Sequence, residues 1–141
     1  MTEGKVFLDT NILVYAHDTS AGTKHDLARG IVAHQWTRRR GVLSTQVLQE
    51  FFVSVTRKLP KPMDTATAQK VVADLLNWEV IVNDGNSILA AFELLKRYKY
   101  SFWDSLIVHA ALQAGAEILM SEDLSRGQKI QGMTIENPFS E

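Results

Sequence analysis

The stretch Lys5-Val6-Phe7-Leu8-Asp9-Thr10-Asn11-Ile12-Leu13-Val14-Tyr15-Ala16 decides how the chain is read. Lys5 to Asp9 predicts a short strand, apolar in its middle. Thr10 or Asn11 then starts a brief helix over Ile12 to Ala16. Asp9 therefore stands where a strand hands over to a helix, and the question is whether the pattern repeats.

It does. Thr23 with Asp26 has the spacing of a capping box, and Leu27, Ile31, Val32 and Trp36 follow at helical spacing until Gly41. Val42 to Ser44 predicts a second strand, followed by a helix carrying Val47, Leu48, Phe51, Phe52 and Val55. Beyond the breaker Leu59-Pro60-Lys61-Pro62, Asp64 can cap a helix containing Val71, Val72, Leu75 and Leu76. Glu79 to Val82 predicts a third strand, and Ile88, Ala91, Phe92 and Leu95 mark the next helix. Another helix runs from about Phe102 to Ala114, closed by Gly115, and Glu117 to Met120 and Met133 to Glu136 are the last strands. Strands separated almost throughout by helices predict an α/β domain with a mainly parallel sheet.

The length of 141 residues fits one domain over residues 1–141, and 45% hydrophobic with 22% charged residues is ordinary for a globular protein. The absence of cysteine excludes disulfides, thiolate zinc sites and a cysteine nucleophile. No apolar run approaches a signal peptide or a membrane span, so the expected location is the cytoplasm, away from membranes. A formal net charge of −1 excludes binding of nucleic acid by global charge alone. Any such role must rest on local patches such as Arg38-Arg39-Arg40, which also reads as a solvated helix end, or on bound metal. His17, His25, His34 and His109 have no ligand spacing and read as surface or packing residues.

A parallel sheet sends every strand toward one edge, and the acids follow. Asp9 ends the first strand, Glu50 lies one to two turns into the helix after the second, Asp104 is in the first turn of the helix before the fourth, and Asp123 follows the fourth. All converge on the rim where open α/β sheets bind ligands. Each also has a structural reading: Asp9 as a cap, Asp104 as partner to Ser101 in a capping box, Asp123 as a cap on the turn 124–127, and Glu50 as a solvent-facing residue. Those readings do not explain the convergence. Charges ~4 Å apart repel by about 4 kcal/mol at an effective dielectric near 20, so such a cluster takes up protons or binds cations. Oxygen ligands suit Mg²⁺, with Mn²⁺ as a substitute. Two such ions can activate water and stabilise the leaving oxygen of an in-line phosphodiester attack.

Four segments are similar to the motifs of PIN domains, particularly VapC-type toxins of toxin–antitoxin systems. Phe7 to Ala16 resembles the opening motif, Ser44 to Phe51 the second, Ser101 to Ile107 the third and Leu119 to Leu124 the fourth, with Asn137-Pro138-Phe139 like the usual end of the domain. The resemblance runs nearly end to end. It implies a three-layer α/β/α fold with a five-stranded sheet ordered 3-2-1-4-5, and a metal-dependent endoribonuclease. Asp9, Glu50, Asp104 and Asp123 would be the catalytic and metal-binding residues. Ser121 would bond a carboxylate or a metal-bound water, and Asn11 would orient Asp9; turn or capping roles stand beside both. The resemblance also implies an RNA substrate, a homodimer and a cognate antitoxin that blocks the acidic site. Trp103 reads as a helix-packing ring, with base stacking the alternative. Competing readings are a PIN nuclease or a non-catalytic RNA-binding PIN-like module without an antitoxin, and a phosphoacceptor domain. The last wants an acidic pair near the first strand, which Asp9-Thr10-Asn11 lacks.

Overall fold

The computed structural model describes residues 4–124 and 126–140, so residues 1–3, 125 and 141 of the expected domain lie outside the described ones. The strands are β1 (Val6–Leu8), β2 (Gly41–Ser44), β3 (Glu79–Ile81), β4 (Ile118–Met120), β5 (Lys129–Ile130) and β6 (Met133–Glu136). The helices are α1 (Thr10–Ala16), α2 (Thr23–Arg38), α3 (Thr45–Arg57), α4 (Thr65–Leu75), α5 (Gly85–Tyr98) and α6 (Phe102–Gln113).

The sheet order is β3-β2-β1-β4-β6-β5, parallel except for the β5–β6 pair. Its first five positions are the expected 3-2-1-4-5 order, with Met133–Glu136 as the fifth member; β5 is an added antiparallel edge strand. The expectation missed β5 because its hairpin turn is Gln131-Gly132. Both residues have positive φ, 51° and 89°, and Ile130 pairs with Met133 across them. That is the geometry of a two-residue type I′ turn, built without the Asn-Gly pair that usually announces one.

β1 and β2 are buried along their whole length, as central strands covered on both faces must be. Phe7, Leu8, Leu43 and Leu119 from the strands close on Ile12, Leu13 and Phe51 from α1 and α3, all with essentially no exposed surface. Caps define the helix starts. Ser44 Oγ accepts from Val47 N at 3.3 Å to begin α3, and Asp64 Oδ1 accepts from Thr67 N at 2.8 Å to begin α4.

Two local expectations change. Thr23 and Asp26 form no capping box, because a 3₁₀ turn over Thr19–Ala21 runs into α2 and leaves Gly22, at φ +64°, as its N-cap. Gly41 does not stop α2 either: Arg39 does, at φ +56°. Gly41 opens β2 beneath the Trp78 ring, where a Cβ would lie 2.3 Å from Cζ3. No described helix is long and apolar enough to cross a membrane.

Candidate acidic active site

The register of β1 against β4 builds the centre of the site. Leu8 is paired with Met120, and Asp9 N continues the ladder by donating to Met120 O at 2.9 Å. The residues that follow the two strands therefore meet at the carboxyl edge. Ser121 Oγ donates to Asp9 Oδ2 at 2.7 Å, and Asp9 Oδ1 accepts from Thr10 N at 2.7 Å, which caps α1. Asp9 is thus a cap and also a lining residue of an open cleft of about 620 Å³.

Glu50 comes to the same cleft from α3. Its helical phase predicts a surface position, yet it is half-buried, because Thr10 Oγ1 donates to its Oε1 at 2.6 Å. Gln46, one turn earlier, donates from Nε2 to Glu50 Oε2 and to Trp103 O, each at 3.2 Å. That amide ties α3 to the first turn of α6. Thr10 and Gln46 were missed in the sequence, although the Gln46–Glu50 spacing of four was available as a signal.

Asp104 is half-buried, and its backbone N donates to Ser101 Oγ at 3.1 Å, so the helix cap and the cleft share this residue. Asp123 is exposed; its N donates to Ser121 Oγ at 3.2 Å and its Oδ2 accepts from Asn11 Nδ2 at 3.1 Å. Asn11 therefore holds Asp123 and not Asp9, because Thr10 N and Ser121 already occupy the two oxygens of Asp9. The turn 124–127, the alternative role for Asp123, includes residue 125, outside the described residues. Trp103 is 61% exposed on the rim, meeting Phe102 edge-on at 5.3 Å, so it is not the packing ring its place in α6 suggested. The sequence-predicted acids Asp9, Glu50, Asp104 and Asp123 all line this one cleft, with Asn11.

Burial is the largest cause that pushes the Asp9 carboxyl up to about 6, against the opposing hydrogen bonds from Ser121 and Thr10; the charges of Asp104 and Glu50 push the same way. Asp104 is raised too, first by burial and then by Asp123 and Glu50, with a hydrogen bond from Ser101 opposing. A cation would relieve both. The donor chemistry fits Mg²⁺ or Mn²⁺: carboxylate oxygens, joined by the buried Asn11 Oδ1 and Gln46 Oε1, neither of which has a hydrogen-bond partner. Among the described residues no three acidic or histidine side chains already surround one ion position. The fit is therefore to an ion that keeps several waters and takes one or two carboxylates, as Mg²⁺ does, not to a closed protein cage.

Beside the cleft, Glu122 turns away from it. Its Oε1 accepts from Tyr15 Oη at 2.6 Å and its Oε2 pairs with Lys24 Nζ, which also lies over the Tyr15 ring. Phe139 closes on Tyr15 edge-on at 5.1 Å, fastening the end of the described chain to α1.

A family model described as PIN domain matches residues 6–125. No curated protein sequence matches at a significant level. Among solved structures, the chain is similar to a toxin–antitoxin complex from Klebsiella pneumoniae, with 18% identity and a TM-score of 0.69 over 96% of this chain and 98% of that one. It is similar to a DNA-bound VapBC of Salmonella typhimurium, with 19% identity and a TM-score of 0.65 over 96% and 99%. It is also similar to the sarcin–ricin-loop-cleaving VapC toxin of Mycobacterium tuberculosis, with 18% identity and a TM-score of 0.61 over 82% and 87%.

Proposed function

The chain belongs to the PIN domain family, and from that premise we propose that it is a metal-dependent endoribonuclease, the toxin of a toxin–antitoxin pair, acting in the cytoplasm. One observation carries the reading: a buried Asp9, raised in pKa by burial and by its acidic neighbours, at the carboxyl edge where β1 meets β4. Mg²⁺, with Mn²⁺ as substitute, would supply the Lewis acidity that generates the attacking hydroxide and stabilises the leaving oxygen.

The chain's own residues set the stage for that chemistry. Asp9, Glu50, Asp104 and Asp123 would supply the carboxylates, one or two to an ion, with waters completing its shell. Ser121 and Thr10 N fix the rotamer of Asp9, Thr10 Oγ1 and Gln46 fix Glu50, and Asn11 fixes Asp123. With the site loaded, Asp9 stays ionised at neutral pH. Trp103, exposed on the rim, offers a face on which a base of the RNA stacks.

An antitoxin has a suitable seat. An open apolar groove between α3 and α4, with Leu48, Phe52, Val72 and Leu76, shares Gln49 and Val53 with the acidic cleft. A partner that lays an apolar segment in the groove would deliver a basic side chain to the carboxylates. Ile88, Leu89 and Phe92, all exposed on α5, are the face offered to a second copy in a homodimer.

Cleavage of structured and unstructured RNA is the test, comparing the wild type with Mg²⁺ or Mn²⁺, the wild type with EDTA, and Asp9→Asn. Cleavage in the wild type with metal alone is expected. Metal-independent cleavage, or full activity in Asp9→Asn, rejects the reading.

A further inference from the structure

A second cleft, of about 430 Å³, lies at the opposite edge of the sheet, where Lys5, Gly41 and Glu79 mark the amino ends of β1, β2 and β3. It contains Arg39 and Arg40 of the basic triplet, which the acidic site does not use. Lys5 is spent on Glu79 at 3.0 Å, but Arg39 and Arg40 have no salt-bridge partner among the described residues. The local charge of this cleft is therefore positive in a protein of net charge −1.

The walls are aromatic. Trp36, 42% exposed, meets Trp78 edge-on at 5.4 Å. Two lining residues carry buried polar atoms without partners: Oε1 of Gln35, a residue only 3% exposed, and Nε1 of Trp78. Both residues line the cleft. An unpaired buried acceptor or donor costs about 1–3 kcal/mol, and acceptors and donors are what the edge of a nucleobase complements. A flat ring to stack on, guanidinium groups for phosphate, and an unmet donor and acceptor occur together in this cleft.

We infer that this cleft binds a nucleotide, its phosphate on Arg39 and Arg40 and its base on Trp36 with Gln35 and Trp78 at the base edge. The ligand class follows from the cleft's own residues; only its place on an RNA chain, remote from the cleaved bond, rests on the ribonuclease reading.

The probes are a fluorescein-labelled oligouridylate of about eight nucleotides, within the usual single-strand site size, followed by anisotropy in EDTA, and uridine monophosphate followed by tryptophan fluorescence. Trp36→Ala and the double variant Arg39→Ala/Arg40→Ala are surface changes that leave the core intact. Each is expected to weaken oligonucleotide binding about tenfold, and the double variant should lower the salt slope of log K by about 0.7, the value for one phosphate lost. A matching loss with the monophosphate assigns the site to a free nucleotide, and a loss with the oligonucleotide alone assigns it to an RNA strand. No binding by wild type, or binding unchanged in both cleft variants, overturns the inference. A protein that cleaves no RNA, yet whose binding in EDTA still depends on Trp36, Arg39 and Arg40, keeps this cleft and loses the nuclease reading.

Discussion

Asp9 is the most deeply buried of the four acids, and replacing it with Asn removes a charge that the metal-free fold holds at a cost. Its carboxyl is raised from 3.8 to about 6. Between those values the folded chain binds a proton that the unfolded chain does not, so stability falls as pH rises from about 4 to about 6 and stays reduced above. At 1.36 kcal/mol per unit, a rise of about two units is about 3 kcal/mol at neutral pH. Asn keeps the volume but weakens the charge-assisted bonds from Ser121 and Thr10, returning about 1–2 kcal/mol of this. The net expectation is a gain of about 1–2 kcal/mol, or roughly 3–8 °C in Tm for a chain of this size. The assay is thermal unfolding of both proteins in EDTA from pH 4 to pH 8. The Asn variant's advantage should vanish toward pH 4. With millimolar Mg²⁺ the order should reverse, because ligand binding stabilises only a protein that still has the site. A variant less stable than wild type at pH 7 in EDTA, or an advantage independent of pH, refutes the claim that Asp9 is held against burial and like charge.

Two further outcomes follow from the same geometry. Asp104→Asn should also raise the metal-free Tm at neutral pH, but by less than Asp9→Asn, since Asp104 is only half-buried; a clear fall would make it a structural cap on α6. Thr10→Val removes the 2.6 Å bond that holds Glu50, and should weaken Mg²⁺ activation of cleavage about tenfold or more while the fold melts nearly as before. Unchanged activation in a metal titration would show that Glu50 needs no such support.

What could be read in advance, and what could not, divides along a physical line. Strand ends fix backbone position, so Asp9 and Asp123 followed from the place where an apolar run stops, and the parallel register did the rest. Glu50 did not follow from periodicity, because what draws it inward is a hydroxyl forty residues away, on Thr10, and no helical wheel contains that contact. β5 failed to register for a different, local reason: Gln131 adopts φ +51° with no residue preference to announce it. Gly41 was recognised as special but for the wrong neighbour, since the Trp78 ring above it comes from a distant part of the chain. Apart from that turn, local chemistry was legible where one segment decided it, and hidden where two remote segments met.

The choice of partners around the acids explains why the cluster keeps its charge. Ser121, Thr10, Gln46 and Asn11 hold Asp9, Glu50 and Asp123 with neutral hydroxyl, amide and backbone donors, which fix direction without cancelling charge. A lysine or arginine in any of those places would orient a carboxylate equally well, but it would compete with a divalent ion for it. Lys24, beside the cleft, is taken by Glu122 together with the Tyr15 hydroxyl. Burial raises the Glu122 carboxyl, yet the bonds from Lys24 and Tyr15 outweigh it and bring it below its ordinary range. Of the two adjacent acids after β4, Glu122 is thus neutralised by its neighbours and Asp123 is left to the cleft. That difference, which the Glu122-Asp123 pair in sequence does not reveal, is the physical ground for proposing Asp123 as a metal ligand, while Glu122 fastens Lys24 and Tyr15.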